Sequence, residues 1–287
     1  MKKADGFCGW YFKCQTDTQT IALIPAVHEK AGERSGSIQF IYGSKAWQIP
    51  FPGSVCHVCR RRPSARIGKN LFTGKGIRLD LHAKGLSLTG ALRFGEPSPL
   101  RFDIMGPFAA VPFLECRHRV FSMRHTVDGW LLVNGRLCLL DGGTGYIEGD
   151  EGHSFPRQYA WTQCLFPGGS LMLAAAEIPL GPLCFTGVTG AVQTHGKEYR
   201  LATYLGAGIR LPGNREIVVR QGARTLSAAL LGRPLCPLRA PSAGAMTRTI
   251  HESAACRARY RLEEKGKPLL ALETSRASFE YEYSPPR

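Results

Sequence analysis

Long apolar runs are missing from this sequence, in which no uninterrupted stretch reaches the ~18 residues that a membrane-spanning helix requires. Residues 1–6 begin with basic residues, but the apolar core of a secretory signal does not follow them. We therefore expect a cytoplasmic protein. Because disulfides are rare in that reducing compartment, the 10 cysteines are expected to be free thiols.

A paired set of metal-binding motifs is missing as well. Cys56 and Cys59 form a lone Cys-x-x-Cys, and no second motif of this kind occurs. A structural zinc site needs four ligands, so ordinary thiols are the simpler interpretation. The sequence therefore predicts no bound metal.

Acidic residues are few, with 22 Asp and Glu against 37 Lys and Arg, a formal charge of +15. Such an excess is compatible with nucleic acid, an anionic membrane surface or an acidic ligand as partner. The basic residues are spread along the chain, with one tight run at residues 60–62, as on a solvated surface. We therefore expect no nucleic-acid binding, whereas peripheral contact with an anionic membrane surface stays open.

Convincing helical periodicity is scarce, and residues 254–264 are the single moderate helix candidate. Alternating segments such as residues 37–51 and 76–94 are typical of strands instead. Glycine-containing turn signals recur at even spacing, for example at residues 128–129, 134–135 and 212–214. The first two of these signals predict three short strands within residues 116–140. The pattern favours an all-β protein of antiparallel strands with little helix.

Residues 145–156 concentrate ionisable groups among glycines and aromatics. Glu148, Asp150, Glu151 and His153 lie close together in this stretch, which two strand-like segments flank. Glycine lets the backbone turn sharply or approach a ligand closely. Two interpretations follow, the mouth of a cavity or a solvated turn between strands.

The same stretch has a more specific pattern, Tyr-x-Glu-x-x-x-Gly-x-x-Phe-Pro from Tyr146 to Pro156, followed by Trp-x-x-Cys from Trp161 to Cys164. This pattern is similar to the central motif of the tocopherol cyclase-like proteins. Further segments resemble other parts of those proteins, in the same order along the chain: residues 9–13, 67–72, 105–125, 249–253 and 278–281.

The resemblance implies a fold. Tocopherol cyclase-like proteins, like the related carotenoid hydratases, resemble two lipocalin-type antiparallel barrels in tandem. The halves here would span residues 1–145 and 155–287, with the central motif near their junction. A small barrel of this type can hold one apolar ligand in its interior, which fits a prenylated lipid.

The resemblance also implies chemistry, namely the acid-initiated cyclisation of a prenylated quinol or related isoprenoid without a cofactor. A carboxylic acid that stays protonated in a dry pocket would protonate the alkene. Glu148 is the first choice for this acid and Asp150 the second. His118 and His125 would relay a proton or orient the acid. The alternative for Glu148 is a loop carboxylate paired with Arg157, and for either histidine a structural role. Their spacing of seven places the histidines on opposite faces of a regular strand.

Four aromatic residues could line the ligand pocket and stabilise a cation: Trp10, Tyr11, Tyr146 and Trp161. Core packing is the alternative for each.

At two positions this chain has a different residue from the family pattern, and both differences bear on the activity that the resemblance implies. The family has Glu where this chain has Cys8, and Trp where it has Glu151. Because both lie in segments expected to face the ligand, a non-catalytic carrier of an apolar ligand is the alternative function.

Thiol titration tests the expected redox state. Titration of the denatured, unreduced protein should detect nearly all of the 10 cysteines, because a reducing compartment leaves them unpaired. A count near zero would instead indicate a disulfide-linked scaffold and an oxidising compartment.

Overall fold

The computed structural model describes residues 5–111, 114–180, 183–211, 215–232 and 236–283, and within them nearly all regular structure is β-strand. Helical structure in these ranges consists of three short 3-10 segments, Gly53–Val55, Gly106–Ala110 and Thr203–Leu205. The expected all-β class with little helix is confirmed. Among the described residues no helix is long and apolar enough to cross a membrane. The start of the chain, the pair at residues 112–113 and the turn predicted at residues 212–214 lie outside the described residues.

The first sheet has twelve antiparallel strands. They are β1 (Gly6–Gln15), β2 (Thr20–Lys30), β3 (Glu33–Tyr42), β4 (Lys45–Pro52), β5 (Cys56–Val58), β6 (Ser64–Ile67), β7 (Asn70–Thr73), β8 (Gly76–Ala83), β9 (Leu86–Phe94), β10 (Cys116–Val133), β11 (Arg136–Leu139) and β12 (Gly143–Gly152). Their order is β4-β3-β2-β1-β12-β10-β9-β8-β7-β6-β5, with β11 beside β10. The order places β12 between β1 and β10, so this late strand lies in the middle of the sheet.

The second sheet has ten strands. They are β13 (Tyr159–Phe166), β14 (Gly169–Leu180), β15 (Leu183–Thr194), β16 (Lys197–Ala202), β17 (Gly208–Arg210), β18 (Glu216–Gln221), β19 (Arg224–Leu230), β20 (Cys236–Ser242), β21 (Ala245–Glu264) and β22 (Lys267–Tyr281). Their order is β16-β15-β14-β13-β22-β21-β19-β18-β17, with β20 beside β21.

Each sheet has its own hydrophobic core. In the first sheet, all twelve strands contribute buried side chains to one continuous cluster. Strands from both ends of the strand order can share one cluster only if the sheet curves around it. The second sheet has a separate cluster with buried residues from all of its strands except β17 and β20, and Ile209 of β17 packs against it. Alternate residues of the strands point into these cores, as the period of two requires.

The chain forms two compact units that interleave along the sequence. The first contains residues 1–101, 115–155 and 238–249, and the second contains residues 102–114, 156–237 and 250–287. These ranges differ from the halves at residues 1–145 and 155–287, because hydrogen bonds attach a late segment to the first unit. The Gln39 side-chain amide donates to the carbonyl of Arg239 at 3.0 Å and accepts from its N–H at 2.9 Å.

Two local predictions were wrong. Residues 116–140 form the long strand β10 and the short strand β11, because the chain continues extended through Asp128 and Gly129. Gly129 has a φ of +121°, and a Cβ there would lie 2.3 Å from the carbonyl oxygen of Ala91 on β9, so this glycine permits close strand approach. The helix candidate at residues 254–264 lies within β21, where buried and exposed residues alternate.

Most of the ionisable stretch at residues 145–156 lies within β12, which is hydrogen-bonded to β1 on one side and to β10 on the other. The alternative of a solvated turn was therefore wrong for residues 145–152, whereas the mouth of a cavity stays a prediction. The glycine at position 149 allows a side chain of the neighbouring strand β1 to pack closely against β12. A Cβ on Gly149 would lie 2.7 Å from the ring of Trp10.

A pair of Phe→Ala substitutions tests the first core. Phe12 is fully buried and packs against Phe72 and Phe94, with ring centroids 5.7 and 6.3 Å away. We expect Phe12→Ala to lower the free energy of unfolding by about 3–5 kcal/mol, because the ring leaves a cavity. Phe102→Ala is the matched control, since Phe102 is 74% exposed, and should change it by less than ~0.5 kcal/mol. Urea unfolding measures the free energy of unfolding of both variants. Equal urea midpoints for Phe12→Ala and Phe102→Ala would contradict the assignment of Phe12 to the core.

Candidate active site

The alternation of β12 separates two sets of side chains. Ile147 points into the first hydrophobic core, so Tyr146, Glu148 and Asp150 project from the opposite face. On this face Glu148 lies opposite Tyr11 of β1, and Asp150 lies opposite His118 of β10. Three central strands therefore bring these five side chains together on one face of the sheet.

His118 lies between two carboxylates. Its Nδ1 is 2.9 Å from Oδ1 of Asp150, and its Nε2 is 3.2 Å from Oε2 of Glu148. The first contact has the geometry of a hydrogen bond, whereas the second is an ion-pair contact with poorer alignment. The Tyr146 hydroxyl also donates to Oε2 of Glu148, at 2.5 Å. The imidazole thus connects the two acids that the sequence singled out.

The exposure of the three side chains decreases along this connection. Asp150 is 24% exposed, His118 12% and Glu148 5%. The order therefore runs from a carboxylate that water can reach to one that is buried.

The charges of the two acids control the protonation of His118. Burial alone would lower the pKa of this imidazole, but the carboxylates of Glu148 and Asp150 outweigh burial and raise the pKa well above the ordinary 6.5. Burial, reinforced by Glu148, raises the pKa of the Tyr146 hydroxyl well above its usual range. At neutral pH the site therefore contains an imidazolium and a neutral phenol.

Cys116 also belongs to the cluster, which the sequence did not predict. Its thiol donates to Oδ1 of Asp150 at 3.5 Å, and burial raises the pKa of the thiol well above its usual range. The thiol is therefore protonated and acts as a weak donor to Asp150.

His125 does not join His118. The pairing of β10 with β12 shifts register twice, between Val120 and Ser122 and between Ser122 and His125. The two single-residue shifts run in the same direction and add up to two residues, which leaves the alternation unchanged, so the histidines stay on opposite faces, as the spacing of seven predicted. His125 packs on Phe94 of the core with ring centroids 4.7 Å apart, and burial lowers its pKa to about 4. It is therefore a neutral, buried histidine away from the acids.

The four aromatic candidates separate into three groups. Tyr11 and Tyr146 lie on the face of Glu148. Trp10 is buried in the core on the other face, where its indole N–H donates to the carbonyl of Cys59 at 2.8 Å. This position agrees with the packing alternative for Trp10. Trp161 is buried on β13, in the second unit.

The two departures from the family pattern lie opposite each other, on the face of the sheet that does not carry Glu148. Cys8 on β1 is the register partner of Glu151 on β12, and both are on the core face of the sheet. Glu151 is 3.5 Å from Arg119 and 3.9 Å from Arg60. Both positions therefore lie on the face of the sheet opposite to Glu148, and whether they face a ligand stays a prediction.

Sequence reasoning assigned no role to Lys13, although it closes one of the resembling segments. Its side chain is fully buried. It projects on the face of Tyr11, between the core residues Phe12 and Cys14, and lies opposite Tyr146 of β12. The signal that could have identified it is a lysine flanked by apolar residues within a strand-like run.

The same cluster has the donor set of a metal site. Ligand atoms of His118, Glu148 and Asp150 lie within 4.8 Å of one another. Both imidazole nitrogens already contact a carboxylate, however, and a metal ion would have to displace one of these contacts. The geometry therefore fits a protonated histidine better than a ligated one.

Comparison with known proteins supports the resemblance. No family model matches the chain. A segment of 86 residues is 30% identical to the chloroplastic tocopherol cyclase of Zea mays. The match covers 29% of this chain but only 18% of the maize protein. The similarity to the tocopherol cyclase-like proteins is thereby confirmed, over a limited part of the relative.

Solved structures match the fold over nearly the whole chain. An AttH protein of Nitrosomonas europaea has a TM-score of 0.56 at 11% identity, covering 98% of this chain and 93% of that one. Kievitone hydratase from Nectria haematococca gives 0.55 at 9%, covering 98% and 90%. CghA with Sch210972 gives 0.61 at 9%, covering 98% and 89%. At these identities the likeness shows the fold alone, and it confirms the tandem lipocalin-like architecture.

The protonation of His118 can be measured directly. In long-range proton–nitrogen NMR spectra, both ring nitrogens of His118 should remain protonated as the pH rises through 6.5, because a raised pKa favours the charged form. His125 should be neutral over the same range, since its pKa is about 4. Glu148→Gln should lower the pKa of His118 by removing one carboxylate. A His118 that loses its proton at or below 6.5 would contradict the described geometry.

Proposed function

We propose that this protein is an acid-initiated cyclase of the tocopherol cyclase type, acting on a prenylated quinol or a related isoprenoid. The observation that carries the proposal is the position of His118 between the partly exposed Asp150 and the buried Glu148. Ring closure on a prenyl chain needs an acid that is shielded from water and strong enough to protonate an alkene. It also needs a group that returns a proton to this acid. The cluster supplies both.

In the first step a proton passes from the imidazolium of His118, whose Nε2 is 3.2 Å from Oε2 of Glu148, to the carboxylate of Glu148, and the carboxyl group so formed gives it to one carbon of the alkene. The electron pair of the double bond forms the new C–H bond, and a tertiary cation remains on the other carbon. Glu148 is left as a carboxylate and His118 as a neutral imidazole. General acid catalysis of this kind typically contributes 10²–10⁴-fold to the rate.

The second step closes the ring. A hydroxyl oxygen of the same ligand bonds to the cationic carbon, and its proton passes to the carboxylate of Glu148. Atoms and charge balance as an isomerisation, which consumes no cofactor. Exchange of protons with water can proceed through Asp150 and His118, because the imidazole can accept a proton at one nitrogen and release one at the other.

The tyrosines have two separate roles in this scheme. The Tyr146 hydroxyl fixes the orientation of the Glu148 carboxyl group through its 2.5 Å hydrogen bond. The ring faces of Tyr11 and Tyr146 stabilise the transient cation, since aromatic quadrupoles attract positive charge. His118 acts through Glu148 and is a positioning and relay residue.

The relatives support the reaction type. The maize relative is named a cyclase, and one structural neighbour is named a hydratase. Acid-initiated ring closure and acid-initiated hydration of an alkene begin with the same protonation. They differ in the oxygen that captures the cation, a hydroxyl of the ligand or a water molecule.

A carrier of an apolar ligand is the second candidate function, because the fold suits it without any chemistry. The burial of Glu148 favours catalysis, since a carrier gains nothing from an acid that is costly to bury. Pairing of Glu148 with Arg157 stays a prediction.

Glu148→Gln tests the proposed acid. The substitution keeps the size and hydrogen-bonding shape of the side chain but removes the acidic proton. With prenylated quinols of different chain length as trial substrates, we expect kcat to fall about 100-fold or more while the ligand still binds. Asp150→Asn should cause a smaller loss, because Asp150 acts at the solvent end of the relay.

Glu151→Gln is the matched control, a glutamate of the same strand on the other face. It should keep kcat within a few-fold of the parent value. If Glu148→Gln turns over as fast as the parent, Glu148 is not the acid and Asp150 becomes the next candidate. If no prenylated quinol reacts but such lipids bind in the micromolar range, the protein is a carrier.

A further inference from the structure

Two neighbouring strands of the first sheet expose large apolar side chains to solvent. Among the described residues, eight large hydrophobic side chains are exposed, and four of these lie on β10 and β11: Trp130, Leu132, Leu137 and Leu139. Each of the four has between 37% and 61% of its surface exposed. Single exposed apolar residues are ordinary on a protein surface, whereas a group of them indicates a site of interaction.

The strand register joins the four side chains into one surface. Trp130 lies directly opposite Leu139, and Leu132 lies opposite Leu137. The alternate residues of the same two strands point into the first core: Leu131, Val133 and Cys138. Because side chains alternate along a strand, the other four share the outer face of the sheet. We call these four the apolar hairpin face.

A tight turn holds this face in place. Asn134 and Gly135 connect β10 to β11, and both have a positive φ, +49° and +79°, as a two-residue hairpin turn requires. The Asn134 side chain accepts a hydrogen bond from the N–H of Ser87 at 2.7 Å and donates to the carbonyl of Gly85 at 3.2 Å. These bonds attach the tip of the hairpin to the turn between β8 and β9.

Basic side chains lie beside the apolar hairpin face. Arg78 of β8 lies opposite Ala91 of β9, which in turn lies opposite Trp130. Arg93, two residues after Ala91, projects on the same side, and both arginines are exposed. The segments that build this part of the sheet, residues 64–94 and 128–141, contain seven Lys and Arg but three Asp and Glu. An anionic partner is therefore favoured.

The size and the composition of the apolar hairpin face favour a membrane as this partner. Half-exposed side chains of this kind offer roughly 100 Å² each. A stable protein complex buries about 800 Å² on each partner, about twice what four such side chains provide. A membrane requires no such area, since single side chains enter the boundary between headgroups and acyl chains, where tryptophan is enriched.

We propose that the apolar hairpin face docks the protein on a membrane surface that contains anionic lipids. Trp130 and the three leucines enter the boundary of the acyl chains, and Arg78 and Arg93 attract the lipid phosphates. The inference goes beyond the proposed function, because docking requires neither Glu148 nor turnover.

Sedimentation with lipid vesicles tests the docking. The full chain is mixed with vesicles of phosphatidylcholine alone or with vesicles that also contain phosphatidylglycerol. We expect binding to the anionic vesicles to be at least about fivefold tighter, because one basic residue near an anionic surface contributes about this factor. High salt should reduce the difference, since it screens the charges. Failure to bind the anionic vesicles, or equal binding to both kinds, overturns the proposal.

A double substitution, Leu137→Ser with Leu139→Ser, tests the face itself. We expect it to weaken binding to the anionic vesicles about tenfold or more, because two apolar side chains no longer leave water. Leu205→Ser, at an exposed leucine of the second unit, is the matched control and should bind as the parent does. The urea midpoint of the double variant should stay close to that of the parent, since the replaced side chains are exposed. If the double variant binds like the parent, the proposal is wrong.

Fluorescence quenching locates the contact while the leucines stay unchanged. Bromine atoms on lipid acyl chains quench those indoles that reach them, and the chain has four tryptophans. Quenching should be strong in the parent and nearly absent in Trp130→Phe, because Trp10 and Trp161 are buried and Trp47 packs against the core. Unchanged quenching in Trp130→Phe would show that another surface meets the membrane.

A second copy of the chain is the alternative occupant of the face, and analytical ultracentrifugation without lipid distinguishes it. Under the proposal, the parent and the double variant have the same mass in solution. A dimer that the substitutions at Leu137 and Leu139 convert to a monomer would show that the face joins two copies, and this result would overturn membrane docking.

Discussion

The contact of one imidazole with two carboxylates is the interaction on which the candidate site depends. If His118 were absent, the carboxylates of Glu148 and Asp150 would place two like charges on one side of a strand, with one of them buried. The protonated imidazole compensates this repulsion, and the carboxylates in turn keep the imidazole protonated despite its burial. The three groups therefore depend on one another, and the same contacts that stabilise the cluster form the path for a proton.

The sheet makes this cluster possible by keeping two environments apart. Strand β12 has a hydrogen-bonded partner on each side, so its backbone is satisfied and its side chains must alternate strictly. Ile147 faces the apolar core, whereas Glu148 and Asp150 face the site. The same alternation places Cys8 and Glu151 on the core side, so the changes at these positions leave the acids, the histidine and the tyrosines of the site intact.

The sequence predicted the fold class and several members of the cluster better than it predicted their geometry. Composition and alternation were sufficient for the all-β class, and the motif residues identified Glu148, Asp150, His118 and Tyr146 as a group. The spacing of seven also separated His118 from His125 correctly. Whether Gly129 turns the chain or lets two strands approach depends on its neighbour across the sheet, which only strand pairing reveals. Lys13 was missed for the same reason, since its burial follows from strands far away in sequence.

Deuterium incorporation tests the central claim, protonation of an alkene by an acid of the protein, most directly. A prenylated quinol incubated with the protein in D₂O should give a cyclic product with one non-exchangeable deuterium, on the carbon that received the proton. The label is expected because the relay through Asp150 and His118 exchanges with solvent. A cyclic product without deuterium would show that ring closure does not begin with proton transfer, and would contradict the account.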